Sequence, residues 1–154
     1  MNDFDLKIVR LKCVAVYDDV FMMKKNFTQL NLPLSEDIPC ELAEISGDCK
    51  TAWFHPKSLQ DSFDWMTRWL ERSTNLLSPL VPSDVFCGQL CGSKFSEDDV
   101  MYRAKIVSVK NDMVEVIYID YGNSELRSFS DLFELPEEIL SPNPHVVMFE
   151  LDGA

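Results

Sequence analysis

Residues 85–129 contain four short β-rich segments, at 85–93, 101–109, 113–119 and 125–129, with turn signals between them. The tight turn Lys110-Asn-Asp-Met113 makes the middle pair a hairpin. Several short strands joined by short turns predict a small β-barrel. Such a barrel leaves chain to spare, because 154 residues suffice for one domain or for two small lobes sharing a core. At this length no disulfide or metal staple is required for folding.

The flanking text supplies the second lobe. Residues 41–46 and 50–55 read as two strands joined at Gly47-Asp48, with Pro56 ending the second. A helix then begins near Ser58, which makes a plausible capping pair with Asp61. Leu59, Phe63, Met66 and Leu70 recur on one helical face, which Trp65 and Trp69 widen. A stripe of this kind is core, and its width predicts packing against two neighbours. Pro79 and Pro82 bracket a linker, and the barrel starts near Ser83. After it, Ser130-Asp-Leu-Phe-Glu-Leu reads as one helical turn halted by Pro136, and 146–151 as a last strand. Ahead of these elements, 6–17 reads as a strand, 18–30 as a short helix and 31–39 as a loop.

Charge narrows the class of partner. There are 26 acidic and 14 basic side chains, a formal net charge of −12, and Lys24-Lys25 is the sole basic doublet. Nucleic-acid binding relies on Lys and Arg to neutralise phosphates, so this balance disfavours it. An acidic surface suits cationic partners, arginine-rich peptides among them, and equally serves solubility alone. The five cysteines form an odd set, which argues against a secreted disulfide framework; Cys13, Cys87 and Cys91 lie in apolar, strand-like text and read as buried thiols. Cys87 and Cys91 have a loose CxxxC spacing, and His55 and His145, both beside prolines in loop-like text, are the only histidines, so a zinc site is disfavoured. Neither a cofactor nor a catalytic residue is expected, since residues 41–82 lack a convergent constellation for metal-assisted hydrolysis. The acidic start Met-Asn-Asp-Phe-Asp lacks a signal-peptide pattern, and no apolar run approaches the ~20 residues that span a bilayer. The expectation is a soluble, intracellular protein.

The barrel text also carries a candidate site. Phe95 sits in a polar loop, Tyr102 at a strand start, and Tyr118 and Tyr121 flank the turn that ends in Asn123. Residues three apart in a regular strand face opposite sides, so Tyr118 and Tyr121 converge only if the chain bends between them. Asp120-Tyr-Gly-Asn123 supplies that bend, because Gly122 and Asn123 tolerate positive φ. Four rings gathered at one barrel end can form an open box for a weakly hydrated cation, such as a guanidinium. Methylation keeps that charge and adds apolar surface, and the Asn123 carbonyl can accept a retained N–H. Spacing alone is equally compatible with ordinary barrel packing.

Residues 83–135 resemble a Tudor domain of the class found in germline and RNA-silencing scaffold proteins. The matching text is Phe95 before its acidic loop, Tyr102-Arg-Ala, Tyr118-Ile-Asp-Tyr-Gly-Asn123 and Leu132-Phe-Glu-Leu-Pro136. The resemblance implies that Phe95, Tyr102, Tyr118, Tyr121 and Asn123 form a cage for symmetrically dimethylated arginine. It also implies a fold class: a β-rich α+β chain with a small SH3-like barrel against a partial staphylococcal-nuclease-like, OB-type lobe and one linking helix. The expected divisions are an N-terminal extension at 1–40, nuclease-like strands plus helix at 41–82, the barrel at 83–136 and a return strand at 137–154. The partner implied is an arginine-methylated peptide of an Argonaute/Piwi-type or other RNA-granule protein, bound in cytoplasmic ribonucleoprotein granules. The competing readings are a module for unmodified arginine-rich peptides, a partner surface away from the cage, and, more remotely, RNA binding or nuclease activity.

Overall fold

The structure is a computed structural model that describes residues 11–12, 40–48 and 51–151. The helix read at 18–30 and the loop at 31–39 lie outside the described residues. So does the strand read at 6–17, except for Leu11–Lys12, which forms a short strand, β1.

Two antiparallel sheets make up the described chain. The first has the order β1-β9-β3-β2. Its centre is β3 (Thr51–Pro56), flanked by β2 (Cys40–Ile45) and by β9 (Val147–Leu151). The ladder between β2 and β3 shifts register between Leu42 and Glu44, a bulge on an edge strand. Pro56 is the last residue of β3, not a stop beyond it, which costs nothing where no further ladder donor is needed.

The chain leaves β3 through a 3₁₀ turn (Lys57–Leu59) into helix α1 (Gln60–Ser73). The Ser58–Asp61 capping pair does not form. Pro56 starts the 3₁₀ turn and Leu59 the helix, both without a side-chain cap bond. Ser58 lies inside the turn, where it cannot adopt the extended backbone an N-cap uses. Met66 and Leu70 are the buried helix residues, clustered with Met101, Leu135 and Ile139. Each such side chain contributes about 1.5–3 kcal/mol by burial. Trp69 and Phe63 join packed clusters, but Trp65 is 46% exposed, contrary to the expected two-sided burial. Phe133, Leu135 and Leu140 gather with Trp69, and that cover does not reach Trp65 one turn earlier.

The second sheet is curled, with the order β7-β6-β5-β4-β8. Its strands are β4 (Leu90–Lys94), β5 (Met101–Lys110), β6 (Met113–Tyr118), β7 (Ser124–Ser128) and β8 (Leu132–Phe133). The first strand begins five residues later than read, because Gly88 (φ +93) and a bond from the Phe86 amide to the Gln89 side chain turn the chain there. Cys87 is therefore exposed, not buried, with its thiol donating to the Val107 carbonyl at 2.8 Å. Cys91 is buried in β4, and burial pushes its thiol up to about 12; Cys40, half-buried, is pushed up to about 11. The helical turn read at 130–135 is a 3₁₀ turn (Phe129–Asp131) that passes directly into β8. A short helix α2 (Glu137–Leu140) follows.

Both faces of β5 are covered. Ala104 and Ile106 join Leu80, Cys91, Val114, Val116, Tyr118 and Leu132 inside the curl. On the opposite face Met101 meets α1, and Arg103 and Lys105 are buried beside it in sequence alternation. Ile119 and Val146 form a third cluster with Trp53, tying the curled sheet to the first one.

Candidate functional site

The site grows from the turn after β6. The amides of Tyr121 and Gly122 both donate to the Tyr118 carbonyl (3.1 and 2.8 Å), and the Tyr118 amide donates to Asn123 (2.8 Å). Gly122 supplies the positive φ (+99°), while Asn123 does not take that conformation. Gly122 has a second reason to lack a side chain. A Cβ there would stand 2.6 Å from both Cδ1 and Cδ2 of Trp53, whose ring lies under the turn from β3.

The bend brings both tyrosines to one pocket. Phe95, Asp98, Tyr102, Tyr118, Tyr121 and Asn123 line a cavity of about 80 Å³. A single water needs only about 10–15 Å³ of such space, so a planar group of several heavy atoms has room. Phe95 meets Tyr102 and Tyr118 at centroid distances of 6.2 and 5.5 Å, and Tyr102 meets Tyr118 and Tyr121 at 6.1 and 5.3 Å. Their planes cross at 79–83°, so the rings form walls and do not stack on one another.

Each wall is fixed from behind. Tyr118, 1% exposed, donates its hydroxyl to Glu125 Oε2 at 2.6 Å and lies 3.2 Å from Ser93 Oγ. The same Glu125 carboxylate accepts from the Ser96 amide and hydroxyl (3.1 and 2.6 Å), which ties the Phe95 loop to the Tyr118 wall. That loop closes between β4 and β5 with Asp99 in the left-handed region (φ +58°). Tyr102 donates to Asp98 Oδ2 at 2.6 Å. Tyr121 sits edge-on to His55 of β3 (5.2 Å) and to Phe63 of α1 (5.5 Å). The first sheet and helix thus hold one wall of a pocket built on the second.

Burial, helped by the neighbouring carboxylates, raises all three phenols, Tyr121 to about 12, so they stay neutral donors at physiological pH. Burial alone would raise Glu125, but the bonds from Ser96 and Tyr118 and the charge of Arg127 hold it below the usual range.

Beneath the turn lies a buried ion pair. Arg103 Nε and Nη2 reach Asp120 Oδ2 and Oδ1 at 2.8 and 2.6 Å, with side chains 0% and 5% exposed. Arg103 also donates to the carbonyls of Ile139, Pro142 and Asn143 (3.1, 2.6 and 3.0 Å). His145 donates its amide and Nδ1 to Asp120 Oδ1 (2.9 and 2.8 Å), and Ser62 bonds its Nε2 (2.8 Å). His55 Nε2 donates to the Asp120 carbonyl at 2.5 Å. Burial opposes the Asp120 charge, yet Arg103 and the bonds from Arg103 and His145 hold its carboxyl well below the usual range. His55 belongs to β3 and not to a loop, whereas His145 does lie in the loop between α2 and β9; both are buried against this network.

The family model described as Tudor domain matches residues 32–153. This chain belongs to the Tudor domain family. It is 39% identical to Protein tudor of Drosophila melanogaster over 126 residues, which is 82% of this chain and 5% of that much longer protein. Among solved structures it resembles the extended Tudor domain of Drosophila melanogaster Tudor-SN (TM-score 0.65, 25% identity, 72% of this chain and 52% of that one). It also resembles Tudor in a crystal with Aubergine carrying a symmetrically dimethylated arginine (TM-score 0.63, 27% identity, 71% of this chain and 63% of that one). The β-rich fold, a curled sheet with a second sheet and a linking helix, is the extended Tudor form. Tudor domains are binding modules. Among the described residues no group of three or more His, Cys, Asp and Glu side chains could hold a metal, and no helix is long and apolar enough to cross a membrane.

All five residues of the Tudor motif expected to line a site do line one pocket. Reasoning from sequence missed Asp98 in the wall, Glu125 behind it, and Arg103, Asp120, His55 and His145 beneath it. The acidic loop was visible, but no spacing rule marks which of its carboxylates turns inward. Arg103 alternates with apolar residues, and nothing in that pattern shows that Asp120 and the carbonyls of α2 and the loop after it enclose its guanidinium.

Proposed function

We propose that the domain reads symmetrically dimethylated arginine in Arg-Gly or Arg-Ala-rich peptides, through a cage of Phe95, Tyr102, Tyr118, Tyr121 and Asn123. The observation that carries the reading is the four-ring pocket with near-perpendicular walls. A flat methylated cation can present its faces and edges to such walls, each good contact contributing about 0.5–2 kcal/mol. Asn123 accepts the N–H that each methylated nitrogen keeps. The Tudor–Aubergine complex supports this reading, since its ligand carries that modification. In this reading the partner is an arginine-methylated Argonaute/Piwi-type or other RNA-granule protein, and the domain acts as a scaffold in small-RNA pathways within cytoplasmic granules.

Titration of one peptide with unmodified, asymmetric and symmetric dimethylarginine tests it. The symmetric form binds tightest; equal affinity for all three would sink the reading. Asn123→Ala is the cleaner cage variant and removes binding with the fold intact. Tyr121→Ala also removes binding, but it opens a hole against His55 and Phe63 and lowers stability as well.

A further inference from the structure

Asp98 is the one charged residue among the six that line the pocket. Its carboxylate is held at both oxygens: Oδ1 accepts from the Val100 amide at 3.0 Å, and Oδ2 from the Tyr102 hydroxyl at 2.6 Å. Asp98 is also solvent-facing, so its charge is hydrated until a ligand covers it. A cation drawn into the cavity therefore meets aromatic faces together with a fixed anion.

We infer that Asp98 is a specificity-determining residue, which makes the pocket a reader of the guanidinium charge in addition to its methyl groups. This rests on the cage reading above. Rings alone favour the ligand with more apolar surface and weaker hydration, and so widen the gap between methylated and bare arginine. A carboxylate acts the other way. It attracts any arginine cation, and it gains most from the form with the most N–H groups left to donate. The domain should thus hold unmodified arginine peptides measurably, with methylation raising affinity from that base. The ligand class is arginine-rich peptides across methylation states, and a neutral citrulline peptide is excluded.

The experiment titrates wild type, Asp98→Asn and Tyr102→Phe with the unmodified, symmetrically dimethylated and citrulline forms of one peptide, at low and high salt. Asp98→Asn keeps an acceptor for the Tyr102 hydroxyl but removes the charge. It should weaken the unmodified peptide by roughly two- to fivefold, the range expected of an exposed ion pair, and the methylated peptide by less. Selectivity for methylation then rises while the salt dependence falls. Tyr102→Phe breaks the 2.6 Å bond and keeps the charge, so it should preserve the salt dependence. If Asp98→Asn changes neither the selectivity ratio nor the salt dependence, or if Tyr102→Phe reproduces its effect, Asp98 merely positions a ring and the inference fails. If no form of the peptide binds wild type, the cage reading fails first.

Discussion

Replacing Asp120 by asparagine tests whether the buried pair beneath the turn holds the cage in place. The change preserves shape and deletes one charge. Arg103 stays fully buried, its Nε now facing an amide where a carboxylate oxygen stood at 2.8 Å. Breaking one partner of a buried pair costs about 3–5 kcal/mol, because the remaining charge is uncompensated. Three carbonyls, of Ile139, Pro142 and Asn143, still accept from Arg103 and place the expected loss at the lower end, ~3 kcal/mol. For a domain of this size that is roughly 6–12 °C in Tm, a large share of a total stability of about 5–15 kcal/mol. Urea unfolding followed by circular dichroism measures it. Peptide affinity should fall in parallel, since Asp120 lies between two cage tyrosines. A loss below about 1 kcal/mol with unchanged affinity would refute the reasoning, and would mean that the carbonyls alone hold the guanidinium.

Gly122→Ala should cost about 2–5 kcal/mol, summing the left-handed backbone penalty and overpacking against Trp53; urea unfolding reads the loss, and Trp fluorescence the displaced ring. Glu125→Gln leaves one good acceptor for three donors, so about 1–2 kcal/mol is lost and the Ser96 amide exchanges faster in hydrogen-exchange measurements. Stability should also fall with acid in two windows. Burial, outweighing the bond to the Asp120 carbonyl, lowers His55 below its ordinary 6.5, so the unfolded chain takes up that proton first and stability declines as pH drops below that value. Asp120 is held below its ordinary 3.8, so its contribution is whole above that pH and is lost as pH falls through it towards the depressed folded value. Urea midpoints across the range locate both windows, and His55→Gln should remove the upper one.

The rings show how much of the site was legible. Tyr118 and Tyr121 could be placed together because a period of two forbids their convergence without a bend, and Gly122 marked the bend. Asp98 was not legible, since the Ser96-Glu-Asp-Asp99 loop offers three equivalent carboxylates and only the Tyr102 hydroxyl distinguishes one. The helix face gives the same lesson. Met66 and Leu70 were fixed by a period of 3.6, whereas the exposure of Trp65 depends on where another segment crosses.

Taken by itself, the sequence determined the short strands, their turns, the helix, and the five motif residues at one end of the curled sheet. Those features are local, set by side-chain period and by glycine where φ must be positive. Tertiary structure alone decided that the second face of β5 is buried, so that Arg103 needs Asp120 and the turn bearing Tyr121 rests on a buried charge. No local pattern encodes that, because a charged residue alternating with apolar ones looks the same whether water or another lobe lies over it.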